Sequence, residues 1–482
     1  MKERKKQTAL CVLLVFLGMF ILSAQETDNA TEQTTENEPL KTATHHALET
    51  FRHTLLAVGE TIEINLLINA WDYVVLDQEW AAVGIDSIKH NLTHGWHWDE
   101  DDFKMNQLGH PYQGSLYFNS GRANGFNFWQ SSLLTMFGSA MWEICMETSK
   151  PSINDIITTT IAGSIVGEAM HRLYVDVYKK APWIAWLISP QDGINDLFQW
   201  KKPDPVKGHT TLVEAYLSTG MLTTREAFQN SAFSTERAIK IPTGGIALHV
   251  VYGNPYGHDT EEMFDQFNLS LEADFAPNEW SAACFIDGLL FSRSLWDYKP
   301  YRTTVGIDLQ HKTIYASLLQ YYNTSFGVLF AQQIESEDSG WTISWKANAS
   351  YIALGGSDTY YVFSDTNYFG LRNNTRTYQL GTGASAQLAC SLSHPKAGTL
   401  SLNAAADFLW NWPGTYSNDT VNDMFSGTTF IQYGNVSYEH VIYKNYSIGI
   451  ADFLYHKSAV FHDIPSVEQL QNVVRIYLKM QF

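Results

Sequence analysis

The C-terminal stretch Asn472–Phe482 constrains the fold more than any other part of the chain, because its side chains alternate strictly in character. Every second residue is apolar, ending with the terminal one: Val474, Ile476, Leu478, Met480 and Phe482. The residues between them are polar: Arg475, Tyr477, Lys479 and Gln481. This period predicts a β-strand with one apolar face, which in an outer-membrane barrel meets lipid while the polar face meets the lumen. The alternative is the last strand of a soluble sandwich.

The region upstream repeats the same two-residue rhythm. From Ala238 onward, roughly 13 candidate strands lie between turn residues, among them Thr303–Lys312, Thr313–Tyr322 and Thr359–Leu371. Bacterial single-chain barrels have even strand numbers, so we expect about 12 strands, one candidate being split or superfluous. The predicted fold class is α+β, with an N-terminal helical domain followed by an antiparallel outer-membrane β-barrel over residues 233–482.

Residues 1–24 have the features of a secretory signal peptide. Lysine and arginine residues precede the apolar run Thr8–Leu22, and Leu22-Ser23-Ala24 offers a small-residue cleavage site. A retained signal anchor is the alternative. Residues 25–44 are polar, acidic and free of aromatic side chains, which predicts a disordered linker. Together with the terminal strand, the signal peptide predicts an outer-membrane location with the N-terminal domain in the periplasm.

Charge and cysteine usage exclude two classes of protein. The chain has 50 Asp+Glu against 31 Lys+Arg, a formal net charge of −19, whereas nucleic-acid binding needs a basic surface. No nucleic acid is therefore expected as a partner. Three cysteines follow the signal peptide in the sequence: Cys145, Cys284 and Cys390. Their odd number and long spacings argue against a disulfide framework.

Residues 45–232 are predicted to form the helical domain. Apolar residues recur every three or four positions between residues 45 and 75, and Phe128–Thr148 forms a second helical segment that ends before Pro151. Ser152 has the position of an N-cap for a helix over Ile153–Tyr178. Residues 181–232 give no clear pattern.

The stretch between Asn106 and Arg172 concentrates ionisable groups among glycine and aromatic residues. As a catalytic set we single out His110 as general acid or base, with Glu143 or Asp155 as its carboxylate partner. A binding role is assigned to the remaining candidates: Arg122, Glu147, Glu168, His171 and Arg172. Because unpaired buried charges are costly, we expect these groups to form one polar cluster. The structural alternative for Asp155 is the first turn of the helix that Ser152 caps.

Three local expectations concern the same stretch. His110-Pro111 should interrupt any helix and open an irregular loop that is punctuated by glycines: Gly109, Gly114, Gly121 and Gly125. Thr159, Gly163, Gly167 and His171 share one helical ridge, where the small residues would let another helix approach closely. Glu168 and Arg172 should pair on a helix surface, and Arg122 or Arg172 should separate the like charges of Glu143 and Glu147.

A metal site is a further hypothesis, placed just before this stretch. His90, His94 and His97 could converge on a metal ion if Gly95 does not break a helix, with Asp99 or Glu100 as a carboxylate ligand. The alternative is a solvated loop rich in aromatic and acidic residues.

The motifs of the central block resemble a bacterial envelope family, the domain of unknown function 3943. The resemblance rests on these residues: Asn106, His110-Pro111-Tyr112, Gly114, Tyr117-Phe118, Arg122, Asn124-Gly125, Trp142-Glu143, Glu147, Pro151-Ser152, Asn154-Asp155, Gly163, Gly167-Glu168 and Arg172. It covers roughly residues 90–180 and implies no activity. The terminal strand resembles the outer-membrane assembly signal, which implies that the barrel insertion machinery recognises the strand ending at Phe482.

Two functional hypotheses follow. The first is an outer-membrane barrel in contact with membrane lipid, with a periplasmic or lumen-plugging helical domain and a role in envelope structure or transport. The second is an envelope enzyme acting on a lipid or glycan through His110 and the nearby carboxylates. Burial and pairing of these side chains favour the first hypothesis, and their convergence in an open cleft favours the second. No cofactor can be assigned from the sequence.

Overall fold

A computed structural model describes residues 38–199, 205–229, 237–277, 279–316, 319–363, 376–416 and 424–482. The predicted signal peptide and residues 25–37 of the predicted linker lie outside these ranges. The chain divides into two compact units. A helical unit contains residues up to His97 together with His110–Val206, and a barrel unit contains Trp98–Gly109 together with Lys207–Phe482.

The helical unit contains seven helices within the described ranges: α1 (Glu38–Val74), α2 (Ile85–Thr93), α3 (His110–Ala123), α4 (Phe128–Cys145), α5 (Ile153–Tyr178), α6 (Pro182–Ile188) and α7 (Pro190–Gln199). A single 3₁₀ turn, Glu79–Ala81, follows α1. Helix α1 begins at Glu38, inside the segment predicted as linker. Helix α5 has the predicted bounds, and the Ser152 side chain accepts a hydrogen bond from the Asp155 backbone N–H as the expected N-cap. In the described part of the chain, no helix is both long and apolar enough to cross a membrane.

The expected irregular loop at His110-Pro111 is wrong, because these residues begin α3. A π-helical turn, Met105–Gly109, precedes them. The glycine ridge of α5 does meet a second helix as expected: a Cβ added to Gly163 would lie only 2.6 Å from the Cα of Gly114 on α3. Glycine here permits close helix packing instead of a turn.

The barrel is a closed antiparallel sheet of 12 strands in simple sequence order, with β1 paired to β12. The strands are β1 (Thr210–Gln229), β2 (Arg237–Tyr252), β3 (Phe267–Ala276), β4 (Glu279–Tyr298), β5 (Tyr301–Ala316), β6 (Leu319–Glu335), β7 (Thr342–Ser357), β8 (Gly381–His394), β9 (Gly398–Asn411), β10 (Gly427–Tyr443), β11 (Tyr446–Phe461) and β12 (Ser466–Gln481). A short helix, α8 (Tyr360–Phe363), lies between β7 and β8.

The predicted strand number is confirmed, but three assignments differ. The barrel begins at Thr210, before the predicted boundary at residue 233, and β1 was missed because its side chains do not alternate cleanly. Thr313–Tyr322 is not a strand of its own, since it spans the end of β5 and the start of β6. In the predicted strand Thr359–Leu371, Tyr360–Phe363 form helix α8, and residues 364–371 lie outside the described residues.

The alternation of the last strand is confirmed. Ile476 is 56% exposed on the outward face, whereas Lys479, three positions later on the same strand, is 7% exposed and faces inward. Apolar residues on the other strands share this outward exposure, including Leu217, Ile246, Phe326, Val328, Phe430, Ile448 and Ile450. The outer wall therefore carries the apolar surface that a bilayer requires.

Residues Trp98–Gly109 form a strap on this outer wall. The Phe103 ring packs against Tyr315 of β5 and Tyr322 of β6. Each tyrosine lies an even number of positions from an exposed residue of the same strand, Ile307 on β5 and Phe326 on β6, and therefore faces outward. The Arg376 guanidinium donates a hydrogen bond of 2.6 Å to the Asp99 carbonyl. The strap thus covers outward-facing residues and does not enter the lumen at these contacts.

Candidate functional site

The best-formed charge cluster of the helical unit is centred on Glu168 of α5. Its two carboxylate oxygens lie 2.9 Å from Arg122 Nε and 2.7 Å from Arg172 Nε. Burial alone would raise the pKa of Glu168, but the charges of Arg122 and Arg172 outweigh it, and the pKa lies below its usual value. The expectation of a surface pair is wrong, because Glu168 and Arg172 are fully buried. Residues of α3 and α5 are joined by this cluster.

His171, which directly precedes Arg172 on α5, pairs with a residue that the sequence analysis did not single out. Its Nδ1 lies 2.9 Å from Asp192 Oδ1 on α7. The Ser189 hydroxyl donates to the other Asp192 oxygen at 2.5 Å and accepts from the Asn119 amide at 2.9 Å. The cluster therefore binds α7 to α5 and α3.

The three predicted catalytic side chains lie together but are buried. His110 Nε2 is 3.7 Å from Asp155 Oδ2, which is ion-pair distance but longer than a hydrogen bond. Glu143 accepts a 2.7 Å hydrogen bond from the Ser152 backbone N–H. Burial, followed by the nearby charges of Glu147 and Asp155, raises the pKa of Glu143 well above its usual value, while the Ser152 N–H acts in the opposite direction. Glu143 and Asp155 are thus two neighbouring carboxyl groups beside His110.

The expected arginine between Glu143 and Glu147 is not supported by these contacts. Arg122 and Arg172 both engage Glu168, and Arg122 also donates to the Phe126 carbonyl at 2.7 Å. Glu147 accepts a hydrogen bond of 2.6 Å from the Ser149 hydroxyl at the surface. Burial and the nearby Glu147 carboxylate both raise the pKa of Glu143, which favours its neutral form.

A second buried carboxyl group, Glu60 on α1, was missed by the sequence analysis. It accepts hydrogen bonds from three amides: Asn124 at 3.1 Å, Gln191 at 2.8 Å and Asn195 at 2.9 Å. Burial raises its pKa to about 7, although the three amides lower it. Gln191 and Asn195 lie four positions apart, so one polar face of α7 supplies both donors. That spacing was the available signal, but it lay in a region whose pattern was unclear.

The proposed histidine metal site lacks support in the structure. Within the described residues, no group of three His, Cys, Asp or Glu side chains is arranged to hold a metal ion. His90 and His94 are stacked, with ring centroids 3.8 Å apart, and His97 Nδ1 lies 3.0 Å from the Pro151 carbonyl oxygen. Helix α2 ends at Thr93, so the glycine at 95 does separate His97 from the helix that carries His90.

The helical unit therefore has a polar interior in which charges are paired or amide-bound. His110, Glu143 and Asp155 are all buried, as are Glu168, His171 and Arg172. This is the arrangement that favours a structural role over an acid/base site in an open cleft. A catalytic role for His110, Glu143 and Asp155 stays a prediction.

The barrel interior contains charged pairs near the end at which the chain terminates. Lys479 on β12 is 2.8 Å from Glu214 on β1 and also contacts Glu439 on β10. Arg475, four residues earlier on β12, lies 2.8 Å from Asp274 on β3 and 4.0 Å from Glu272. β12 and β3 are three strands apart around the barrel, so the Arg475–Asp274 contact crosses the lumen.

Further contacts cross the middle of the lumen. The Gln387 amide on β8 donates to Gln310 of β5 at 2.7 Å, and Tyr321 on β6 hydrogen-bonds Asp407 on β9. The Lys312 ammonium lies 5.8 Å from the ring centroid of Tyr433, five strands away around the barrel. These contacts place side chains of the described strands within the lumen between these walls.

The barrel's own connections close its other end. Lys457 on β11 is fully buried and lies 2.9 Å from Asp358, directly after β7. Tyr361 of α8 and Tyr416, after β9, belong to an apolar cluster with inward residues of β11 and β12, Ala459, Phe461 and Val467. Side chains from several strands and two connections thus fill this mouth of the barrel.

Comparisons with known proteins give one match to a family model and several to solved structures. Residues 95–186 match the model of a Domain of unknown function (DUF3943). No curated protein is significantly similar to the chain. Among solved structures, an outer membrane channel from Pseudomonas putida F1 is similar over 58% of this chain and 97% of its own, with 8% identity and a TM-score of 0.29.

Two further structures resemble the barrel. A Pseudomonas aeruginosa FadL homologue matches 56% of this chain and 90% of its own, with 10% identity and a TM-score of 0.24. The P. putida toluene transporter TodX matches 56% and 89%, with 7% identity and a TM-score of 0.23. TM-scores this low are not evidence of a shared substrate or mechanism. The central block, residues 95–186, is thus similar to the family that its motifs indicated, and the barrel strands lie outside that match.

Proposed function

We propose that this protein is an integral outer-membrane β-barrel that provides a gated passage, closed in the structure described here. The observation that carries the proposal is the set of charged and polar contacts between strands that are not adjacent in the barrel, of which Arg475–Asp274 and the bridge from Glu214 through Lys479 to Glu439 are the clearest. Such pairs hold the walls together when complete. Loss of the cation leaves like charges that repel each other, so the same residues form a mechanism for opening.

The proposed orientation follows from the connections between strands. Four of the five connections at the end that holds Phe482 are short, for example those between β4 and β5 and between β10 and β11, while β2 to β3 is longer. Long connections at the opposite end include β7 to β8 and β9 to β10. Outer-membrane barrels have short turns in the periplasm and long loops outside. We therefore assign the Phe482 end to the periplasm.

The same reasoning supports entry of the chain into β1 from the periplasmic side, with the helical unit expected there. The strap contacts Tyr315 and Tyr322 on the half of β5 and β6 farther from that end. Protease digestion of intact cells, compared with digestion of cells whose outer membrane is permeabilised, tests on which side of the membrane the helical unit lies. Cleavage of the helical unit only after permeabilisation supports a periplasmic location.

Conductance in planar lipid bilayers tests the gate. Lys479→Met leaves Glu214 on β1 and Glu439 on β10 without their shared cation, and Arg475→Met removes the cation that links Glu272 and Asp274 of β3 to β12. We expect the wild-type protein to be closed at low voltage and both variants to show frequent openings.

Lys299→Met is the matched control, because it removes a cation from an exposed pair with Glu337 at a turn. It should behave as the wild type. Heat-modifiable migration in gels verifies that each variant is folded. If folded Lys479→Met and Arg475→Met are as silent as the control, the barrel is a structural anchor and not a gated passage.

A further inference from the structure

The α6–α7 hairpin has an inverted polarity. Its exposed residues are almost all apolar: Pro182, Trp183, Ile184, Trp186, Leu187, Ile194, Leu197 and Phe198. Its buried residues are small or polar: Ala185, Ser189, Gln191, Asp192, Gly193 and Asn195. A helix pair at the surface of a water-soluble domain has the opposite arrangement.

The inversion is fixed by specific bonds and is not a consequence of loose packing. Gln191 and Asn195 donate to the Glu60 carboxyl group, and Asp192 is 2.9 Å from His171. Rotating α7 to bury Ile194 and Leu197 would break these bonds inside the unit. The polar face is therefore held inward, and the apolar face must remain outward.

Helix α4 repeats the pattern independently. Its exposed face includes Trp129, Leu133, Met136 and Phe137. Its buried face carries Ser131, Thr135, Ser139 and Glu143 as well as apolar residues. Two separate elements of the helical unit thus direct large apolar side chains outward around a polar interior.

We propose that the exposed apolar face of the α6–α7 hairpin lies in the lipid–water interface of the membrane that holds the barrel. This proposal rests on the proposed membrane location of the barrel. Trp183 and Leu187 are 65% and 74% exposed. Tryptophan with large aliphatic residues on one face and polar groups on the other is the composition of helices that lie in a membrane interface.

Chain connectivity and helix length identify lipid as the occupant. Only residues 200–209 separate the end of α7 from the start of β1, a lipid-facing strand that exposes Leu217 and Met221. A link of this length spans at most about 35 Å when fully extended, so the hairpin is tethered close to the bilayer. Helices α6 and α7 have 7 and 10 residues, far too few to cross a bilayer, which leaves the interface as the place they can occupy.

Site-directed spin labelling of the full chain in lipid nanodiscs tests the proposal. A nitroxide is attached at Leu187→Cys or Ile194→Cys after Cys11, Cys145, Cys284 and Cys390 are replaced by alanine. Collisions with oxygen, which concentrates in lipid, are compared with collisions with a water-soluble nickel chelate. We expect both labels to favour oxygen, as a label at Ile476→Cys on the outward face of β12 should.

Two reference positions make each result decisive. Lys89→Cys, at an exposed position of α2 that a charged side chain occupies, should favour the nickel chelate. If Leu187 and Ile194 labels behave like the Lys89 label while the Ile476 label favours oxygen, the barrel is in the membrane and the interface proposal is wrong. Immobile labels shielded from both reagents would mean that a second copy or another protein covers the face, which also overturns it. If the Ile476 label itself favours the chelate, the proposed membrane barrel fails first.

Discussion

Replacement of Glu168 by glutamine should destabilise the helical unit strongly. Glu168 is the shared partner of Arg122 and Arg172, with nitrogen–oxygen distances of 2.9 and 2.7 Å, and the side chains of Glu168 and Arg172 are almost completely buried. Glu168→Gln preserves the shape but leaves two guanidinium charges next to each other in the interior. Removing one partner of a buried ion pair typically costs about 3–5 kcal/mol.

The size of the effect depends on burial, which a control on the same helix can isolate. Lys179 forms a pair with Asp176 across a 3.7 Å distance, and its side chain is 66% exposed. Lys179→Ala should cost about 0–0.5 kcal/mol, because exposed pairs at this spacing contribute little. The two substitutions thus compare a buried and an exposed ion pair on α5.

Urea unfolding of the full-length protein in detergent micelles, followed by circular dichroism at 222 nm, measures both variants. The helical signal reports on the helical unit, while a stable barrel contributes a nearly constant background. A cost for Glu168→Gln within 1 kcal/mol of the Lys179→Ala cost would refute the reasoning. It would show that the polar interior is open to water.

Two further predictions concern pH and membrane depth. Because the pKa of Glu60 is raised from 4.5 to about 7 on folding, the folded state holds its proton more tightly, and the free energy of unfolding should fall by up to about 3 kcal/mol as pH rises from 4.5 to 7. Glu60→Gln should remove that part of the pH dependence in the same circular dichroism assay. An unchanged dependence of stability on pH in the variant would contradict the prediction. Val474→Arg, near the middle of β12, should lower the stability of the vesicle-embedded protein by about 2–4 kcal/mol, and Leu478→Arg, nearer the end of the strand, should lower it less. Urea titrations measure both variants. Equal losses of stability would show that β12 does not cross the bilayer as described.

The barrel was predictable from sequence because one rule governs it. Side chains alternate between lipid and lumen on every strand, so Ile476 and Lys479 could be assigned to opposite faces without a structure. The pairing of Lys479 with Glu214 could not be predicted, because the two residues are joined only by closure of β12 onto β1. β1 itself was missed since its inward and outward residues are less distinct in polarity.

The polar interior of the helical unit was predictable in composition but not in pairing. Spacing along one helix correctly related Glu168 to Arg172, but the degree of burial depends on α3 and on the approach of Gly114 to Gly163. Asp192 and Glu60 were not singled out, because each acquires its partners from distant segments. The apolar residues of α7 face outward, an arrangement for which the sequence of residues 181–232 gave no clear pattern.

Crosslinking across the lumen tests the closed barrel most directly. Cysteines at positions 310 and 387 replace the two glutamines whose side chains meet at 2.7 Å from strands β5 and β8, in a chain without its native cysteines. A short bismaleimide should join them in the membrane-embedded protein and change its migration after heating. The pair Ile307→Cys and Gln387→Cys is the control, because Ile307 lies on the outward face of the same strand and should not react across the wall. A closed lumen predicts efficient crosslinking of 310 with 387 alone; absence of that product in folded protein would show that the walls are apart and that the central claim is wrong.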